Sequence, residues 1–452
     1  MTDTENRTPP GVDRDGTPLG LAALLAGTLV GTVGNNVVNV PLPAMLAEFD
    51  APLSSGVFVV VGFLLTFTAT MPLVGWIGDR FGRRRVYLAA LVGTAVCAIG
   101  AATAPTLEVL IAWRCAGGVA AAAFGPAVMG LLTWMFSGAR RGRAVGMWAS
   151  VNGIGQAIGP TMGGVIADMW GWRWVFIPLV PVALAGLIGT LLHVPNYRGV
   201  RMPFDVFGAA ALTLGSGLLI LGVALIPRAG ALPVVLGSLA AAAVILAVLV
   251  WHCLRVPDPF VDVRLVLESR FVRSSLAAFA MMFSLGAVLL AIPLYLNRGN
   301  WSATVAGLVL LVVPATMVVL GPFVGRYQDR LGPRRVLRTG LVLLAGGHAG
   351  LAIAIGASSP LGVLVAILAL TGVGIAMVQT PAATGATRSP AGAQGTGLGL
   401  YNLIRFSGSA MGAAWVAIAL AGSTFTLVFG VAAAVVVLGL ACTFVGPDPR
   451  PV

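Results

Sequence analysis

The sequence predicts an all-α polytopic membrane protein, with about fourteen spanning helices in two related halves. Three observations carry that prediction. First, 58% of the 452 residues are hydrophobic, mean hydropathy is +0.97 and only 9% are charged. A soluble fold cannot hide so much apolar surface. Second, the charged stretch Gly75-Trp76-Ile77-Gly78-Asp79-Arg80-Phe81-Gly82-Arg83-Arg84-Arg85 returns at Gly325–Arg335. Asp79 aligns with Asp329, Arg80 with Arg330, Gly82 with Gly332, and Arg84-Arg85 with Arg334-Arg335. Third, the arginines fall on one side when the apolar runs are threaded back and forth through a bilayer.

Apolar runs, each near the length of about 20 residues that a crossing requires, cover 18–42, 53–76, 86–104, 107–134, 144–167 and 173–194. They continue at 205–227, 232–254, 272–296, 303–325, 336–357, 361–380, 395–420 and 424–445. The repeated stretch reads as a loop after the second run and again after the tenth, so two extra helices lie between the halves. The organisation is then a disordered tail at 1–17, a six-helix bundle at 18–194 and two inserted helices at 205–254. A cytoplasmic linker at 255–271 with a short surface helix, a second six-helix bundle at 272–445 and a tail at 446–452 complete it.

All 27 basic residues are arginine and the net charge is +12. With the N-terminus inside, only Arg173, Arg228 and Arg298 fall in outer loops, Arg114 and Arg405 fall within spans, and the rest are cytoplasmic. The charge is therefore membrane topology rather than a nucleic-acid footprint. The Ala, Gly and Val excess fits a GC-rich bacterium. The expected location is the bacterial cytoplasmic (inner) membrane, with both termini cytoplasmic.

Cys97, Cys115, Cys253 and Cys442 lie in or at the ends of apolar runs, far apart, and read as small buried hydrophobes. His193, His252 and His348 are isolated, and HExxH, CxxC and GxSxG are all missing. The common metal, redox and serine-hydrolase signatures are thus absent, and no cofactor, metal or catalytic residue is expected.

The fifth run carries Gly146, Gly155, Gly159-Pro160 and Gly163-Gly164. Glycines four apart share a helix face and admit another helix closely, and the proline removes a donor and bends the helix. Trp172-Arg173-Trp174 with Phe176 and Pro181 opens the sixth run, and Arg405 with Gly408 and Gly412 marks the thirteenth. With the paired charged stretches, these residues resemble the major facilitator superfamily, in particular its 14-helix drug:proton antiporters. The glycine–proline array matches that family's antiporter signature, and the resemblance spans nearly the whole chain.

The resemblance implies a major facilitator fold, two six-helix bundles plus two inserted central helices. It implies secondary active export of small hydrophobic organic molecules, as in antibiotic or drug efflux, by alternating access with proton antiport. Asp79, Arg80 and Arg83 would latch the cytoplasmic gate, with Asp329 and Arg330 doing the corresponding job. Asp79 is expected just before the third span, capping it. The pocket would be lined from the first, fourth, ninth and twelfth spans, with Arg405 added from the thirteenth. Its candidates are Asn35, Asn36, Asn39, Arg114, Met281, Met282, Phe283, Ser284, Gln379 and Arg405. For each of these, ordinary packing or interhelical hydrogen bonding is the competing explanation.

The chain departs from the family at Gly34, where Asp is usual, at Asn36 for Thr, at Gly117 for Gln and at Leu179 for Asn. It therefore lacks the family's carboxylate in the first span, which suits a neutral or weakly charged substrate. Glu108 and Asp168 remain as carboxylates for proton coupling. The expected partners are a small-molecule substrate, protons and the bilayer, not nucleic acid, and the unit is a functional monomer. An uncoupled facilitator, or a lipid or metabolite carrier, is the alternative. A membrane enzyme or a non-transporting sensor has less in its favour.

Overall fold

The computed structural model describes residues 16–136, 138–196, 205–257, 259–391, 395–422 and 424–446. Of the expected tails at 1–17 and 446–452, residues 1–15 and 447–452 lie outside the described residues, as do the surroundings of Gly146 and Asp329. Among the described residues all regular structure is helical. The first part holds α1 (Pro18–Asn36), α2 (Leu42–Glu48), α3 (Leu53–Gly56), α4 (Phe58–Phe81) and α5 (Arg83–Ala102). It continues with α6 (Leu107–Ala121), α7 (Phe124–Met135), α8 (Gly138–Trp170), a 3-10 turn at Trp172–Phe176 and α9 (Leu179–His193). Then come α10 (Val206–Leu225), α11 (Leu232–Cys253) and the short α12 (Val263–Val266). The last part holds α13 (Ser269–Arg298), α14 (Ala303–Leu331), α15 (Pro333–Gly356), α16 (Leu361–Thr387), α17 (Gly395–Gly422) and α18 (Phe425–Cys442).

Among the described residues, 13 spans are long and apolar enough to cross a membrane. They do not include α8, whose 33 residues are diluted by glycine and polar side chains. At 1.5 Å per residue α8 is about 50 Å long, ample for a crossing.

The repeated charged stretch is helical, not a loop. Gly75 to Phe81 complete α4, and Arg83 to Arg85 begin α5, leaving one residue between them. That residue, Gly82, has φ +101°, and its counterpart Gly332 has φ +83° between α14 and α15. Left-handed backbone is open to glycine without a Cβ clash, so one residue reverses the chain. Asp79 consequently sits in the last turn of α4 and does not cap α5, which has no side-chain cap. The 107–134 run also breaks, at Ala122-Ala123, into α6 and α7. Pro126 explains the break, since it lacks an N–H and its ring crowds the carbonyl four residues earlier.

The helices align between two ends. At one end Arg84 donates to the Leu191 carbonyl (2.9 Å) at the close of α9, and Gly16 N–H to Met135 O (3.3 Å). Arg334, the repeat partner of Arg84, likewise donates to the Thr443 carbonyl (2.9 Å) just past α18. The two repeats thus tether the last helix of their half in the same way, cations meeting the negative helix C-terminus. At the other end Glu48 takes hydrogen bonds from Trp172 Nε1 (2.6 Å) and from Arg173, which also reaches Ala104 O (3.2 Å). The Arg173 guanidinium holds the Glu48 carboxyl below its ordinary value.

Helices α1 to α9 pack among themselves, as do α13 to α18. The main joints between these sets are α8 against α14 and α4 against α17. The α10–α11 hairpin lies across the second joint, with α10 on both α4 and α17.

Candidate substrate cavity

A cavity of about 760 Å³ lies between the two sets of helices. One stripe facing it is Thr28, Thr32 and Asn36 on α1, and another is Trp148, Asn152 and Gln156 on α8. Both recur every four residues, which is one helix face. α17 contributes Asn402, Arg405, Phe406 and Ser409; Met282 and Gln379 come from α13 and α16. The cavity runs to the Asp79 end, where Asp79, Arg83 and Asp205 line its mouth. On α8 no described residue beyond Gln156 lines it.

The glycines explain why it stops there. A Cβ on Gly155 would lie 2.8 Å from Thr32 Cβ, on Gly159 2.9 Å from Asn36 Cβ, and on Gly163 2.1 Å from the Val37 carbonyl. That face is pressed onto α1. Gly164 faces the other set, with a Cβ 2.2 Å from Ala303 O, and one on Gly307 would meet Pro160 O at 2.9 Å. Thr161 Oγ1 donates to Gly307 O (3.1 Å) across this joint. Asp168 completes the closure, accepting from Ala303 N–H (3.2 Å), Thr304 N–H (2.6 Å) and Thr304 Oγ1 (2.6 Å). A carboxylate from one half thus caps the α14 N-terminus in the other. The second half repeats the glycine packing, as Gly408, Gly412 and Gly286 close α13 onto α17 with built Cβ–carbonyl distances of 2.3, 2.1 and 2.3 Å.

At the mouth, Asp79 accepts from Arg83 Nε at 2.6 Å, one turn away on the neighbouring helix. Arg83 also lies over Gly130 of α7. Arg80 and Arg330 are exposed, and the Arg80 guanidinium stacks on Trp76 of its own helix at 5.2 Å. Asp205 caps α10 through Gly208 N–H (2.8 Å), accepts from Phe260 N–H (3.1 Å) and meets His252 Nε2 (2.9 Å). Burial works to raise its carboxyl, but these three donors together hold it below the ordinary value.

Of the residues expected in the pocket, Asn35, Asn36, Met282, Gln379 and Arg405 line the cavity. Asn39, Met281, Phe283 and Ser284 are buried and do not line it, and Ser284 instead bonds His348 Nε2 (2.8 Å). Arg114 is 4% exposed and lies behind the wall, donating to Gly34 O (2.7 Å), Val59 O (2.9 Å) and Asn35 O (3.5 Å). Glu108 sits in the first turn of α6 and, like Asp168, does not line the cavity. The α8 stripe is not among the residues expected from the sequence, although its four-residue spacing stands there beside the glycines.

Two helix sets thus repeat the same glycine-faced pair around a central cavity. The Major Facilitator Superfamily profile matches residues 24–413 and 274–452. The chain belongs to the Major Facilitator Superfamily. Among this transporter's relatives, Multidrug resistance protein Stp of Mycobacterium tuberculosis is 31% identical over 83% of this chain and 71% of its own. The Tetracenomycin C resistance and export protein of Streptomyces glaucescens is 28% identical over 79% of this chain and 67% of its own. The Riboflavin transporter RibZ of Clostridioides difficile is 27% identical over 80% and 78% respectively. As a member of this superfamily the chain is a multi-pass membrane transporter for small molecules.

Proposed function

We propose that this transporter exports small, largely apolar organic molecules from a bacterial cell by proton-driven alternating access, acting as a monomer. The observation that carries the reading is a cavity reaching the Asp79 end while α8 and α14 are packed shut at the Asp168 end. With the Asp79 end cytoplasmic, as the arginines ask, this is the inward-facing half of the cycle. The drug-export relatives favour efflux. The helix grouping suits two six-helix bundles with α10 and α11 inserted at their seam.

Each end then has its own latch. Asp79, Arg80 and Arg83, with Asp329 and Arg330, would hold the cytoplasmic end when the cavity faces out. Asp168 holds the other end now. Protonation of Asp168 from outside would cost α14 its anionic cap and favour opening, which is one way a proton gradient could drive the cycle. Glu108, at the same end, is the second candidate for that role.

The riboflavin transporter among the relatives, and a cavity lined by no mid-membrane carboxylate among the described residues, favour a metabolite carrier as the second reading. Drug accumulation in cells expressing the protein, with and without a protonophore, separates the two. Lowered accumulation that a protonophore reverses supports coupled efflux. Unchanged accumulation sinks it, and gradient-independent equilibration in vesicles favours the carrier.

A further inference from the structure

The charges around the cavity do not balance. Asp79 is engaged by Arg83, and Asp205 by His252 and the start of α10, all at the mouth. Deeper in, the one described charged side chain lining the cavity is Arg405. Its guanidinium stacks on Phe406 at 5.0 Å, and its Nε is buried with no hydrogen-bond partner. Behind the opposite wall Arg114 spends its donors on carbonyls, which leave its charge unneutralised. Neither arginine has a carboxylate partner among the described residues.

Three more polar groups are left over. Gln379 Oε1, Asn35 Oδ1 and Trp148 Nε1 are buried, unpaired and on residues lining the same cavity. An arginine held in a membrane interior is costly without a partner, and a guanidinium fork matches an oxyanion. Beside the polar stripes of α1 and α8, Phe67, Met71, Phe124 and Met282 supply apolar and aromatic wall.

We infer that the cavity binds organic anions, an aromatic or apolar body bearing one acidic group that the Arg405 guanidinium receives. The inference rests on the transport reading only for why such a molecule enters; the binding itself stands apart from it. It sharpens the substrate class, since beyond the mouth a cationic drug would meet the Arg405 charge and, among the described residues, no carboxylate.

The test is equilibrium dialysis of the purified full-length protein in a neutral detergent against 2-naphthoate, 2-naphthamide and 2-naphthylmethylammonium. These probes share one body and differ in charge. Naphthoate should bind about 10-fold or more tightly than either of the others, as expected when a desolvated charge pair is gained. Arg405→Gln should bring naphthoate down to the amide, and Arg405→Lys should keep part of the preference. Ammonium binding equal to naphthoate, no binding of any probe, or an unchanged preference in a folded Arg405→Gln protein overturns the inference. If that variant does not fold, wild-type protection decides. Naphthoate, but not the amide, should slow phenylglyoxal modification at Arg405 read by mass spectrometry, and equal protection overturns the inference. Binding preference without vesicle flux of any probe would instead sink the transport reading and leave the anion site standing.

Discussion

Asp168 ties the two halves together through three acceptor contacts on the first turn of α14. Losing a cap of this kind costs about 1–2 kcal/mol, or roughly 5- to 30-fold in an opening equilibrium. Asp168→Ala should therefore raise the rate at which a membrane-impermeant maleimide, added from the Asp168 side, labels a cysteine placed at Gln156. The four native cysteines would be replaced first. Labelling no faster than in the parent protein would remove Asp168 from the closure. Asp205 makes a different kind of tie, holding α10, α11 and the segment at Phe260 together. Its folded-state value is lowered, so its contribution is present above the ordinary value of 3.8 and is lost as pH falls through the lower one. Asp205→Ala should reduce Tm near neutral pH, and the gap from wild type should close below about pH 4. A gap that widens with acid would contradict the sign.

Among the elements, α8 carries the most constraint. One face touches α1 through glycine, another meets α14, and a polar stripe looks into the cavity. Gly163→Leu would drive a side chain into the Val37 carbonyl, where even a Cβ sits at 2.1 Å. Gly237 on α11 has nothing within 4 Å of its built Cβ, so Gly237→Leu is the control. Transport should fall at least about 10-fold in the first and stay within about two-fold in the second, since overpacking costs 1–3 kcal/mol or more. Equal losses would mean that leucine, not the tight face, is at fault. Because α13 and α17 repeat the packing, Gly412→Leu should behave as Gly163→Leu does.

For the whole molecule the central expectation concerns alternation. Asp168 and Thr304 touch across the closed joint, so cysteines at both positions should form a disulfide that locks it. Oxidised protein should stop transporting yet still take ligand from the Asp79 end, and reductant should restore flux. Full transport in the oxidised state would show that this joint does not open. Much of the molecule was legible in the chain alone. Composition and run length determined the spans, since apolar stretches have only the bilayer to satisfy them. The matched Asp79 and Asp329 stretches determined the repeat, and the glycine–proline array determined the family. Those signals are local or periodic, so they survive in one dimension. What only the tertiary structure decided depends on partners distant in sequence. Gly82 alone makes the turn because the flanking helices run on to it. Arg114 leaves the cavity because carbonyls of α1 and α4 reach it first. Asp168 becomes a cap because α14 begins beside it. Among the described residues the packing brings no carboxylate to Arg405, whose Nε stays buried without a hydrogen-bond partner.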